Sequence, residues 1–318
     1  MSPNVKGAVL ALLAFGVYAT HDVVVKTLGA TYSPVQLIFF SVLFSFPLAM
    51  MTIMRDAKPA TLIPVNPGWV IARTIAAVIT GLSAFYAFSV LPLAQVYAML
   101  FATPLILTVL AIPVLGEKVG LHRGFAVIAG LIGVMIVLRP GTTDLSLGHA
   151  AGLTAALGSA FASVVLRKIG AEERAVVVML YPMVANFLLN GAALAFVYRP
   201  MPIEHLGLAA IIAALGWTAG LITIRAFSTG EAVVVAPMQY SQILWAIAYG
   251  LIFFDETIDA ITALGAAVII ASGLYIVFRE GRTRASAFRP VLRARMRPDT
   301  GIRPTENSGA GPGLGAGQ

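Results

Sequence analysis

The sequence contains no cysteine, which excludes disulfides, thiolate zinc sites and iron–sulfur clusters. Histidine is nearly as scarce: four residues scattered through 318 supply no paired spacing for a His-based metal site. Charge is thin as well, with Asp, Glu, Lys and Arg at 11% of the chain against about 25% in an ordinary soluble domain. No GxxxxGK[ST] run occurs, so no nucleotide-driven motor is built in. Neither GxSxG nor HExxH occurs, which removes the nucleophile elbow and the zincin helix. No cofactor is expected, and the chain is not expected to be an enzyme. A membrane-embedded enzyme on a lipid-linked substrate stays as the remote alternative.

What is present is apolar. Hydrophobic residues make up 59% of the chain and mean hydropathy is +0.90, too much for a fold that must cover itself with polar surface. A bilayer is the simpler solvent, and a helix needs about 20 mostly apolar residues to cross it. Ten such segments can be marked: 7–25, 35–54, 68–90, 93–115, 123–138, 148–166, 175–197, 206–227, 232–254 and 260–278. The connections between them are short, punctuated by Pro and Gly, and too small for a soluble catalytic domain. The basic lead Met1–Lys6 runs into a long apolar stretch without a small-residue cleavage site, so it reads as the first span rather than a cleaved signal.

Most of the stretch from Ala87 to Arg139 occurs twice. AFSVLPLAQVYAMLFATPLILTVLAIPVLGE, ending at Glu117, reappears 139 positions later as AFSTGEAVVVAPMQYSQILWAIAYGLIFFDE, ending at Glu256. A shift of 141 sets VVVKTLGA from Val23 against VVLRKIGA from Val164. The expected fold is therefore all-α and integral to the membrane, with ten transmembrane helices as two five-helix repeats, residues 5–140 and 146–280. An odd number of spans per repeat inverts the second half relative to the first.

Lys and Arg orient the bundle. With a cytoplasmic N-terminus, the inner loops hold Arg55, Lys58, Lys118, Arg123, Arg167, Lys168 and Arg174. The outer loops hold Lys26, Arg139 and Arg199 together with Asp255, Glu256 and Asp259. From Arg279 onward, eight arginines and three acids contribute +5 of the net +7, so both termini are expected in the cytoplasm. The segment 281–318 ends in SGAGPGLGAGQ, buries nothing and is expected to be disordered, its arginines facing anionic headgroups. Nucleic acid is not an expected partner, because no aromatic interleaving accompanies the charge.

Glu117 and Glu256, each closing a span before a Gly/Ala-rich one, resemble the EamA repeat of the drug/metabolite transporter superfamily. The TPLILTVLAIPVLGE run and HDVVVK in the first span are similar to it too, over about residues 5–280. The resemblance implies a secondary carrier in a bacterial cytoplasmic (inner) membrane, with its solute cavity between the halves. HDVVVK and YSPVQLIFF look more like the branch that takes up S-adenosylmethionine and riboflavin. Uptake of a planar or zwitterionic metabolite such as these or an amino acid is thus expected; export of amino acids or drugs is the alternative. The second copy departs from the pattern, with Asp255-Glu256 in place of Gly116-Glu117, and with Gln239, Tyr240 and Gln242 in an otherwise apolar run.

Polar residues inside spans need a reason, since a charge at mid-span costs about 2.5–3.5 kcal/mol on insertion scales. Asp22 and His21 either bind a solute ammonium or coupling proton, or Asp22 anchors the helix by pairing with Lys26 at i,i+4. Arg73 and Arg225, near span ends, either snorkel to headgroups or, for Arg225, hold a solute anion. Glu117 and Glu256 are expected to fix helix-end geometry. The strongest solute-binding candidates are Gln239, Tyr240, Gln242 and Trp245, with Gln95, Tyr97 and Met99 in the matching part of the first repeat. Two amides and an indole at i,i+3 spacing can bond and stack a planar or zwitterionic solute; interhelical amide bonding explains the same pattern without function. Pro104 and Pro237 are expected to hinge their helices. Asn186 and Asn190 are expected to join helices. The small-residue face Gly120-x-x-x-Gly124 and Ala126-x-x-x-Gly130 allows close packing, and a homodimer optionally.

Overall fold

In the computed structural model, the described residues are 2–55, 62–116, 121–139, 145–170 and 172–283, and their regular structure is entirely helical. Among the described residues twelve α-helices run in order: α1 Pro3–Gly29, α2 Pro34–Arg55, α3 Pro67–Val90, α4 Leu93–Leu100, α5 Thr103–Leu115, α6 Leu121–Leu138, α7 Leu147–Ile169, α8 Ala175–Val197, α9 Ile203–Thr229, α10 Ala232–Val235, α11 Gln242–Phe254 and α12 Ala260–Thr283. A 3₁₀ helix, Ala236–Ser241, joins α10 to α11. Proline opens α1, α3 and α5, where its missing N–H is no loss.

Among the described residues, seven segments are long and apolar enough to cross a membrane when Leu93–Leu115 is taken as one; 124–138 and 260–276 are shorter apolar helices. The segment expected over 232–254 is broken instead. Pro237 cannot donate to the preceding turn, and the chain tightens there into the 3₁₀ helix. A similar break separates α4 from α5 at Phe101 and Ala102, just ahead of Pro104. Glu117, Gly120 and the arginine-rich segment 284–318 lie outside the described residues.

Close approaches fix the packing. Gly7 near the start of α1 lies against Gly230 at the end of α9, while Tyr32 beyond α1 bonds His205 near the start of α9 at 2.7 Å. Helix α1 therefore runs antiparallel to α9. Helix α7 runs antiparallel to α3 likewise: Gly148 meets Val90 and Leu91, Gly158 meets Thr80, and Lys168 lies 4.4 Å from the ring centroid of Trp69. Helix α2 meets α8 through Phe39, Phe46 and Phe187. Helix α6 meets α12 through Gly133 and Gly265, each so close to the other's backbone that a β-carbon would collide. Of the expected small-residue face, Gly130 packs on Leu105 of α5 and the Ala126 carbonyl accepts the Ser272 hydroxyl of α12, while Gly124 meets nothing within 4 Å; Gly133 is where the α6 and α12 backbones close.

One polar anchor was not foreseen from the sequence. Gln36 on α2 is fully buried, donates from Nε2 to the Arg199 carbonyl at 2.8 Å and accepts the Arg199 amide at 2.9 Å. Both halves of its amide are thus spent on holding the α8–α9 turn. Gln36→Leu should lower the melting temperature in detergent through a loss of about 1–3 kcal/mol, because two backbone groups lose their partners. An unchanged melting temperature would show those groups to be satisfied elsewhere.

Candidate functional site

A cavity of about 690 Å³ lies between α1, α3, α4, α5, α7, α11, α12 and the 3₁₀ helix. That volume falls in the range of small-molecule sites. Aromatic wall is supplied by Phe15, Tyr18, Phe88, Tyr97 and Phe101, and polar wall by Asp22, Gln239, Gln242, Ser159, Ser163 and Arg167.

Asp22 is the most tightly held group in it. Its Oδ2 accepts from the Tyr97 hydroxyl, and its Oδ1 bonds His21 Nδ1 at 2.8 Å. Its side chain is 13% exposed, so the carboxylate is mostly out of solvent yet keeps an edge on the cavity. The expected alternative, an Asp22–Lys26 pair, does not form. Lys26 instead pairs with Glu256 at 2.8 Å and donates to the Leu91 carbonyl at 2.5 Å. Glu256 Oε2 accepts the Leu93 amide at 3.0 Å, so one carboxylate ties the end of α1 to the start of α4. This cluster sits one helical turn beyond Asp22. Arg167 lies near the end of α7, and α7 is antiparallel to α3, so it stands toward the opposite end of the cavity.

The remaining candidates separate. Gln239 and Gln242 face the cavity with Asp22 and Tyr97. Tyr240, their neighbour, turns away: its ring meets Phe101 at 5.1 Å and its hydroxyl end fills the space over Gly273 on α12. Met99 is fully buried against Gly152 on α7, and Gln95 is half-buried outside the cavity lining. Trp245 packs its indole on Gly16 of α1 and lies 5.8 Å from Tyr249, outside the cavity lining as well. Arg225 is exposed and outside the cavity lining. Asn186 and Asn190 bond carbonyls of their own helix, those of Pro182 and Asn186, rather than joining helices. His21 faces a second cleft on the other side of α1. The hydroxyl-bearing wall of α7, Ser159 and Ser163, was missed; small residues in an apolar segment give no signal above packing.

Among the described residues no group of three or more His, Cys, Asp or Glu side chains is placed to hold a metal ion. Residues 5–139 match the EamA-like transporter family. The chain is 24% identical over 283 residues to an S-adenosylmethionine uptake transporter of Rickettsia prowazekii (strain Madrid E), covering 86% of this chain and 93% of the relative. It is also 24% identical over 268 residues to a pseudopaline exporter of Pseudomonas aeruginosa (strain UCBPP-PA14), covering 84% and 94%. A solved protein structure superposes over 88% of this chain and 99% of its own length, with a TM-score of 0.58 and 16% identity.

Proposed function

We propose that this chain, whose residues 5–139 match the EamA-like transporter family, is a multi-pass membrane transporter that moves a small planar or zwitterionic metabolite by alternating access. The observation that carries this reading is Asp22, a carboxylate held by Tyr97 and His21 on the wall of a 690 Å³ aromatic and amide-lined cavity. A carboxylate so placed can take a solute ammonium or other cationic centre. Gln239 and Gln242 offer neutral donors and acceptors, and Tyr18, Phe88 and Phe101 offer ring faces. Arg167 adds a positive charge to the wall at the far end.

The inverted duplication is part of the proposal. Helix bounds agree under the shift of 139, with 93, 103 and 115 falling on 232, 242 and 254. Exchanging the halves turns the α1–α9 contact into the α7–α3 contact and leaves the α2–α8 and α6–α12 contacts paired with themselves. Ten crossings, as two repeats over 5–140 and 146–280, fit this arrangement. Both termini then face the cytoplasm of a bacterial inner membrane, with 281–318 as a basic tail. In this state the Lys26–Glu256 cluster shuts the outer end.

Uptake is the direction we favour, in keeping with the S-adenosylmethionine relative; export has the pseudopaline relative in its support. Proteoliposomes of both orientations, loaded or bathed with labelled S-adenosylmethionine, riboflavin and amino acids, should show saturable flux of at least one solute from one face. Folded protein silent towards the whole panel would overturn the substrate class. A solute that moves only when it carries no cationic centre would remove Asp22 from its recognition.

A further inference from the structure

Arg73 is the charge in the bundle that the solute cavity leaves unused. It sits six residues into α3, ~9 Å along the helix from Pro67, at 1.5 Å per residue. It does not run back to the helix end. Its Nη1 donates to the Val178 carbonyl on α8 at 2.7 Å, a carbonyl without a helical partner because Pro182, four residues on, has no N–H. Its Nε is buried and unpartnered, and among the described residues no carboxylate forms an ion pair with it. One neutral carbonyl does not neutralise a guanidinium held inside a bilayer.

The surroundings say what is missing. Arg73 borders a cleft of about 390 Å³ between α1, α2, α3, α8 and α9, which shares no lining residue with the solute cavity. Its walls are largely apolar, among them Val42, Ala77, Met179, Met183 and Trp217. Ser41 and Ser45 also face it, but their hydroxyls donate to carbonyls of their own helix at 3.1 and 2.7 Å. The charged or titratable side chains bordering the cleft are Arg73 and His21, with the Trp217 indole N–H as a further donor. His21 meets Phe85 edge-on, and Phe85 is twelve residues beyond Arg73, ~18 Å along α3. The cleft is thus long, cationic at one end and greasy along its length.

We propose that this cleft binds an amphipathic anion, its acidic head on Arg73 and its acyl chain laid along α2, α3 and α8. Charge complementarity selects the head, and the apolar length selects the tail. Under the proposed orientation the Arg73 end lies towards the cytoplasmic leaflet. A phospholipid phosphate and a fatty-acid carboxylate share this chemistry, and the test separates them.

Trp217 lines the cleft and provides the readout. Delipidated full-length protein in detergent is titrated with bromine-labelled acyl chains on phosphatidylglycerol, on phosphatidylcholine, or as free dibromostearate. Quenching is taken as the difference between the chain and its Trp217→Phe variant. The expected result is half-quenching at ~10-fold lower concentration for an anionic amphiphile than for phosphatidylcholine, in keeping with a hydrogen bond to a charged group. Arg73→Gln should erase that preference. Ala77→Leu, which fills the cleft while keeping the arginine, should weaken quenching by every amphiphile, and Arg225→Gln, outside the cleft, should change nothing. Whichever of phosphatidylglycerol and dibromostearate quenches first identifies the source. Equal quenching by phosphatidylglycerol, dibromostearate and phosphatidylcholine, or a preference that survives Arg73→Gln, would overturn the proposal.

Discussion

Asp22→Asn is expected to abolish accumulation against a gradient while solute binding stays measurable. Asparagine keeps the size of the side chain, with its Oδ1 left to accept the Tyr97 hydroxyl and its amide N–H able to donate to His21 Nδ1, so the local bonds of α1 and α4 survive. What it removes is the negative charge, and with it any exchange between a proton and a cationic solute at that point. A carboxylate 13% exposed and braced on two sides is costly to keep inside a membrane without such a use. A cationic solute should also bind at least ~10-fold more weakly, the value of a hydrogen bond to a charged group, while a neutral planar solute should be little affected. Binding by calorimetry and accumulation in proteoliposomes under an imposed pH gradient separate the two effects. Wild-type accumulation by the variant would take Asp22 out of the mechanism.

The sequence made Asp22, Gln239 and Gln242 legible because polarity is rare in this chain, so each polar residue in an apolar run stands out. Which candidates share a cavity was less legible, for a reason of periodicity. Counting at 3.6 residues per turn groups Gln239, Gln242 and Trp245 on one stripe. The backbone is 3₁₀ from Ala236 to Ser241, and at three residues per turn Gln239 and Gln242 are eclipsed. They face the cavity together for that reason. Tyr240, one residue on and about a third of a turn round, is carried to Gly273 instead. Met99 failed differently: Gly152 opposite it leaves a space that a flexible thioether fills, and no single-segment pattern reports the facing helix.

The departure at Asp255 proves conformationally conservative. Gly116 ends α5 at φ +69°, and Asp255, its counterpart under the shift of 139, ends α11 at φ +52°. Aspartate is among the few residues besides glycine that enter this left-handed region, so both copies stop the helix in the same way immediately before their glutamate. The likeness of the two stretches is readable as letters, whereas the shared helix stop at this corner needed the backbone. The partner of that glutamate was not visible at all. Helical spacing offers Lys26 to Asp22, four residues away, and the fold gives it to Glu256, 230 residues away.

Loss of either member of that pair is the second large effect expected. Lys26 and Glu256 have side chains 12% and 18% exposed, and their bonds to the Leu91 carbonyl and Leu93 amide hold both flanks of Pro92. Breaking one side of a buried pair costs about 3–5 kcal/mol, much of it from stranding the other charge, whereas removing both together costs less. If the cluster closes the outer end, Glu256→Gln should raise the reactivity of a cavity residue towards a membrane-impermeant maleimide applied from that side. The chain has no cysteine of its own, so Ser159→Cys on the cavity wall gives a single reporter. We expect labelling to rise at least ~10-fold in Lys26→Met or Glu256→Gln and by less in the double variant. A purely structural pair would leave labelling flat while lowering the melting temperature. The repeat extends the argument to the other face. Arg167 matches Lys26 under the shift of 141, and Glu117 matches Glu256 under that of 139. Glu117→Gln should then favour access from the inner side and depress labelling from the outer one, the opposite sign to Glu256→Gln. The same sign from both glutamates would mean that they brace helix ends and that the gate lies elsewhere.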